Sequence, residues 1–307
     1  MIQTSTADFD EFKTIQGSIG STTIPLPLLL SSGEFPLNFG RYEIVSSLGD
    51  GGMGSVFLAR DRQLDRQVAI KIPKWDHQRE SIDRFGREAR IMSNLQHPNI
   101  CRCYDVGSFG GVRYFAMAHI EGETLAKYLD RETPPTSRQV AMLVRKLALA
   151  LETAHRAGVI HRDLKPANII INPDGEPVIM DFGLARSEDG GSIVTQNGVM
   201  LGTPAYMPPE QVLGNCELIG PPSDLYSLGV VMYQMLAGRV PFDGKLVHVL
   251  KRIISEEPPP PSGFNLELDR QLEAICLKAM AKKTEHRFSS AVELADALRD
   301  YLAMAAS

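Results

Sequence analysis

Of the side chains able to carry charge or ligate a metal in the stretch VIHRDLKPANIIINPDGEPVIMDFG, residues 159–183, six stand out. They are His161, Arg162, Asp163, Lys165, Asn168 and Asp181, set beside two apolar runs that read as buried strands. Asp163 and Asn168 are five apart, and PDGE between the apolar runs predicts a hairpin. A hairpin folds its ends together, so Asn168 and Asp181 become neighbours. An amide oxygen with a carboxylate suits Mg2+, a hard cation that keeps waters and takes phosphate oxygens. Asp163, just outside that pair, could accept a proton from an incoming hydroxyl. Lys165 could meet a transferring phosphate. A polar turn with incidental charges is the alternative, and it explains six such residues poorly.

A second group lies earlier in the chain. In LGDGGMGSV, Gly49, Gly51 and Gly54 form G-x-G-x-x-G, with Asp50 and Gly52 between them and Val56 after. A dinucleotide-binding reading needs these glycines to open a helix. Here SVFLAR continues as a strand, so the glycines sit at a hairpin tip. Such a tip can lie over phosphates and offer N–H donors; a mobile hairpin with no ligand is the other reading. Lys71 ends the apolar run VAIK, where a lysine needs a partner or an exit to water. Glu88 falls on the apolar face of a helix expected over 78–96, beside Phe85, Ala89 and Met92. An inward carboxylate needs a cation, and Lys71 is the nearest strand candidate. The pair would hold the ammonium against a polyphosphate; a solvated Glu88 is the alternative.

The elements that must position these residues follow a simple order. Residues 1–40 lack periodicity and read as a flexible tail whose leucines could dock locally. From Arg41, three antiparallel strands are predicted (RYEIVSSLG, GSVFLARD, RQVAIKIP), then the helix over 78–96, then strands near 100–107 and 112–118. After EGETL the chain turns helical. In 137–157 Val140, Leu143, Val144, Leu147, Leu151 and Ala154 follow helical spacing. Helical patterns return at 223–237, 244–255, 267–282 and 290–303. The class is α+β: a small β-rich lobe with one helix at 41–118, a joint at 118–123, a larger α-rich lobe at 124–303, and a short end at 304–307.

The 307 residues suffice for two lobes, and a net charge of −5 argues against a general nucleic-acid partner. No apolar run reaches the ~20 residues of a membrane helix, and a leader peptide is not expected. The four cysteines, 101, 103, 216 and 276, are too scattered for a disulfide framework. Cys101 and Cys103 could begin a metal site, but nothing completes a tetrahedral set. Reduced, buried thiols in a cytoplasmic protein are the better reading; a membrane tether beyond Ser307 stays open.

Taken together, GDGGMGSV, VAIK, Glu88, HRDLKPAN, DFG, GTPAYMPPE, SDLYSLG and Arg287 resemble eukaryotic-like (Hanks-type) protein kinases, in family order across 41–303. HRDLKPAN with Lys165 resembles the serine/threonine class, and the longer matches look most like its bacterial members. The resemblance implies the bilobal kinase fold, with ATP and Mg2+ (Mn2+ as substitute) and Ser/Thr-containing protein substrates. It implies Asp163 as base, Asn168 and Asp181 on Mg2+, Lys165 on the γ-phosphate, and Lys71 paired with Glu88 on the α- and β-phosphates. Met117 would be the gatekeeper, and Ala118 to Ile120 the adenine-binding hinge. Val56, Ala69 and Ile170 would sandwich the base. Met92, Cys103, His161 and Phe182 would stack as a spine. Glu210 and Arg287 would form a buried ion pair anchoring the activation segment, to which Thr203 belongs, and Asp224 would brace the catalytic loop.

Two departures are visible. Pro208-Pro209-Glu210 replaces the usual Ala-Pro-Glu, which predicts a stiffer segment with Glu210 retained. Ala167 stands where an acid often selects basic substrates, so only a mild basic preference is expected, with Glu123 as one acidic contact. Arg162 before Asp163 implies activation-loop phosphorylation, with Thr195 favoured over Ser187 and Ser192, and self-association for trans-autophosphorylation. Unmodified, solvated hydroxyls are the alternative. Two rival functions are a scaffolding pseudokinase and a small-molecule phosphotransferase. The first would ordinarily lack Lys71, Asp163 or Asp181; the second would lack GTPAYMPPE and the Glu210–Arg287 pair.

Overall fold

The computed structural model describes residues 33–51, 54–73, 95–131, 133–182 and 204–304. Gly52, Glu88, Thr195 and Thr203 lie outside them, as do Phe85, Ala89, Met92, Ser187, Ser192 and most of the expected tail. The described residues divide into two units, 33–73 with 104–117, and 95–103 with 118–304.

The first unit is built on an antiparallel meander. Its strands are β1 (Leu37–Phe39), β2 (Tyr42–Gly51), β3 (Gly54–Asp61), β4 (Arg66–Pro73), β5 (Cys103–Phe109) and β6 (Val112–Ala118), in the order β1-β2-β3-β4-β6-β5. Period-2 alternation puts Tyr42, Ile44, Phe57, Ala59, Val68 and Ile70 into one core with Phe39 and Ala116. β1 corrects the sequence expectation, which left 37–39 in the tail. Leu37 and Phe39 pair with Ile44 and Tyr42, and Phe39 is fully buried against Phe109 and Tyr114. Three residues are too short for periodicity to show; the aromatic packing holds the strand.

The second unit contains β7 (Glu123–Thr124), β8 (Ile169–Ile171) and β9 (Pro177–Ile179) in one small sheet. Its helices among the described residues are α1 (Leu125–Leu129), α2 (Ser137–Arg156), α3 (Pro209–Val212), α4 (Pro221–Ala237), α5 (Leu246–Ser255), α6 (Arg270–Ala279) and α7 (Ala291–Met304). Thr136 and Gln139 form a capping box that starts α2. Val140, Val144, Leu147, Leu151 and Ala154 are buried along its inner stripe, while Leu143 is half-buried. α4 is apolar almost all round and is the buried centre of the unit. Gly229 lets α6 approach it: a Cβ there would lie 2.8 Å from Met280 Cγ.

The strand expected from residue 100 starts instead at Cys103. The segment before it joins the other unit: Ile179 N–H donates to Asn99 O, and Cys101 N–H to Ile179 O, both at 2.9 Å. Asn99 Nδ2 also holds the Pro177 carbonyl at 2.7 Å. Leu95 and Gln96 are not helical, so the helix expected through 96 does not include them. Three of the four thiols are buried, and burial pushes the Cys276 thiol well up. Cys216 is exposed, against expectation, because it begins a single 3-10 turn on the surface after α3.

Candidate active site

In the first unit, β2 and β3 form the glycine hairpin, with Gly49 opposite Val56, Asp50 opposite Ser55 and Gly51 opposite Gly54. Ser55 Oγ donates to Asp50 Oδ1 at 2.7 Å. Gly54 has φ +142, and a Cβ there would lie 2.4 Å from Ile72 O, so β4 can run against this strand only beside glycine. Register places Val56 opposite Lys71 on β4. Ala69 and Met117 are buried, and Lys71 is only 2% exposed. A lysine so enclosed is there for a charge, not for solubility.

In the second unit, the loop after α2 carries the second cluster. The β8–β9 hairpin pairs Ile169 with Ile179, and Met180 N–H donates to Asn168 O at 2.8 Å. Asp181 follows directly, at φ +59, in the left-handed region that few residues other than glycine, asparagine and aspartate enter. The hairpin therefore brings Asn168 and Asp181 together, as their flanking apolar runs predict. Ile170, paired with Val178 on β8, is half-buried, as are Ala118 and Ile120.

Asp163 is held from two sides. Lys165 Nζ donates to its Oδ2 at 2.8 Å, and Asn168 Nδ2 to the same oxygen at 3.1 Å and to the Asp163 carbonyl at 2.8 Å. Asn168 thus spends its amide nitrogen on Asp163, which leaves its amide oxygen as the atom able to meet a cation. One amide oxygen beside one carboxylate is a hard-donor set that fits a divalent ion completed by water or phosphate. Among the described residues, no three His, Cys, Asp or Glu side chains are grouped to cage a metal by themselves.

The backbone before Asp163 is pinned by Asp224, in the first turn of α4. Its carboxylate accepts His161 N–H at 2.8 Å, Arg162 N–H at 2.9 Å and His155 Nε2–H at 2.8 Å. His161 is buried: Nδ1 accepts Asp163 N–H at 3.3 Å, and Nε2 meets Met180 O at 2.9 Å. Its ring meets Phe182 edge-on at 4.9 Å, joining two of the four expected spine residues. Sequence reading missed His155 and Gln211. His155 sits in the last turn of α2, and helical periodicity gives no sign that its ring reaches 69 residues ahead.

Glu210 and Arg287 meet as a two-bond fork, with both N–H···O distances at 2.8 Å. Ser223 Oγ adds a 2.7 Å bond to Glu210. Pro209 takes the first position of α3, where a missing N–H costs nothing, and Pro208 is extended at φ −74, ψ 155. Glu123 pairs with Arg131, so its charge is already partly answered.

Comparison with known proteins gives this arrangement a lineage. The family model described as "Protein kinase domain" matches residues 42–298. Serine/threonine-protein kinase PrkC of Bacillus subtilis is 38% identical over 258 residues, covering 83% of this chain and 39% of that protein. Serine/threonine-protein kinase PknB of Mycobacterium tuberculosis is 40% identical over 268 residues, covering 84% of this chain and 42% of that protein. PknB of Mycolicibacterium smegmatis is 40% identical over 268 residues, with coverages of 84% and 43%. The chain spans about two fifths of the length of these curated relatives. With an antiparallel sheet ahead of a mainly helical unit, and a family match running from β2 into α7, the chain belongs to the protein kinase family.

Proposed function

We propose that this chain transfers the γ-phosphoryl group of ATP to serine and threonine hydroxyls of proteins. Family membership implies ATP and a divalent metal in general; the relatives' names support the serine/threonine class. The observation that carries the reading is Asp163 Oδ2 receiving both Lys165 Nζ and Asn168 Nδ2. Two donors on one oxygen orient the carboxylate at the head of a loop whose backbone Asp224 fixes.

Asp163 orients the incoming hydroxyl and takes its proton as the new oxygen–phosphorus bond forms and the bond to ADP breaks. Lys165 sits 2.8 Å from that carboxylate, where its ammonium can balance charge on the moving phosphoryl group. Lys71, with Glu88, would hold the α- and β-phosphates, while Gly49, Asp50, Gly51, Gly52 and Gly54 cover them. Val56, Ala69, Met117, Ala118, Ile120 and Ile170 would receive the adenine. Asn168 and Asp181 would hold Mg2+, or Mn2+ in its place, which neutralises phosphate charge when bound. Glu123, already paired with Arg131, supports no more than a mild preference for basic substrates.

Thr195 is the proposed activation-loop phosphosite, reached by self-association, with Arg162 as the partner of its phosphate. Thr203 belongs to the same segment. Four free cysteines fit a reducing, cytoplasmic setting for this domain. Among the described residues, no helix is long and apolar enough to cross a membrane.

Incubating the chain with radiolabelled ATP and Mg2+, alone and with myelin basic protein, tests the reading. Label on phosphoserine and phosphothreonine is expected. ATP bound with no transfer would mark a scaffold instead, and label confined to small alcohols would mark a small-molecule phosphotransferase.

A further inference from the structure

Arg162 is the residue immediately before Asp163, and it has φ +65. A bulky, charged residue holds the left-handed region only when its neighbours over-determine it. One neighbour is already described: Asp224 Oδ1 accepts the Arg162 N–H at 2.9 Å. The other is Gln211, whose Nε2 donates to the Arg162 carbonyl at 2.8 Å. Only an amide nitrogen can face a carbonyl oxygen, so the orientation of this amide is fixed by its partner.

That carbonyl belongs to the peptide joining Arg162 to Asp163. Gln211 therefore grips the peptide plane from which the Asp163 side chain springs, while Asp224 grips the plane before it. Gln211 is 6% exposed, and its neighbour in α3, Glu210, is tied to Arg287. The segment that ends the Pro-Pro-Glu motif is thus bonded at one residue to the unit's scaffold and at the next to the catalytic loop.

We infer that Gln211 is a positioning residue for phosphoryl transfer: its side-chain amide fixes the Arg162–Asp163 peptide and so aims the Asp163 carboxylate. The inference rests on the reading of Asp163 as base. Because Gln211 touches no reacting atom, its loss lowers the transfer rate and leaves nucleotide affinity alone.

The test uses the full chain with saturating ATP·Mg2+ and myelin basic protein, in single turnover. Gln211→Met keeps side-chain length and removes the donor. The transfer rate should fall roughly tenfold, the range of one buried hydrogen bond left unmade, with KM for ATP within about twofold of wild type. Should Gln211→Met melt more than about 5 °C early, Gln211→Leu, which likewise lacks the donor and carries no ionisable group, gives the same reading. A wild-type rate in the folded variant overturns the inference, as does a rate loss matched by an equal rise in KM for ATP. Asp163→Asn runs alongside. If it is inert while Gln211→Met is normal, only the positioning role falls; if it turns over normally, the base assignment falls and takes this inference with it.

Discussion

Arg287 spends all five of its N–H donors, two of them on the carboxylate of Glu210. The other three go to the backbone oxygens of Ala281, Pro222 and Lys282. Both side chains are almost wholly out of water, at 0% and 3% exposure. A buried pair this well satisfied owes its energetic weight to what remains when one member goes.

Glu210→Ala should therefore destabilise the second unit by about 3–5 kcal/mol, because Arg287 is left as an uncompensated buried charge. Urea unfolding followed by tryptophan-independent far-UV dichroism measures it. A lower midpoint at unchanged slope is expected; an unchanged midpoint would mean that water reaches Arg287.

Lys282 gives a prediction in pH. Its ammonium donates to Ile253 O at 2.9 Å and lies 4.6 Å from the Phe242 ring centre. Burial lowers its pKa from 10.5 to about 8, against the pull of Glu257. The folded state then binds fewer protons than the unfolded state between those values. Stability carried by this group is absent below about 8 and grows as pH rises toward 10.5. Solvent screening reduces its size, so the direction is what is tested. Wild type should gain stability relative to Lys282→Met as pH rises through that window, in paired urea titrations.

In the proposed reading, Asn168 would serve both the metal and the base. Asn168→Ala removes the amide oxygen offered to Mg2+ and both bonds to Asp163. The Mg2+ concentration giving half-maximal transfer should rise at least about tenfold, with a lower rate even at saturation. An unchanged Mg2+ dependence would place the ion elsewhere.

Much of this site is legible in the residues because its positioning is local. The apolar runs flanking PDGE announce the β8–β9 hairpin, and that hairpin alone carries Asp181 back to Asn168. Helical spacing likewise marks α2 and α4. What stays hidden depends on long-range pairing. Nothing near Gln211 announces a bond to a carbonyl 49 residues earlier, and nothing near His155 announces Asp224. The left-handed backbone at Arg162 is imposed by such partners, against the residue's own preference. β1 escapes notice because three residues show no period, and Cys216 because a surface turn can carry any residue.

Thr195 should be the main phosphorylated residue after incubation with ATP·Mg2+, as phosphopeptide mapping reads it. Thr195→Ala should lower activity toward added substrate, since the charge-assisted bonds of the phosphate to Arg162 are then not formed. Full activity in a chain whose Thr195 carries no phosphate would contradict the regulatory proposal.

Asp163→Asn most directly tests whether Asp163 supplies the base, since asparagine keeps the shape and can still accept from Lys165. Single-turnover transfer to myelin basic protein and ATP affinity by calorimetry are measured on the same preparation. The transfer rate of the variant should be about 10²–10⁴-fold lower, with ATP affinity nearly unchanged. A variant that transfers phosphate at the wild-type rate would contradict it.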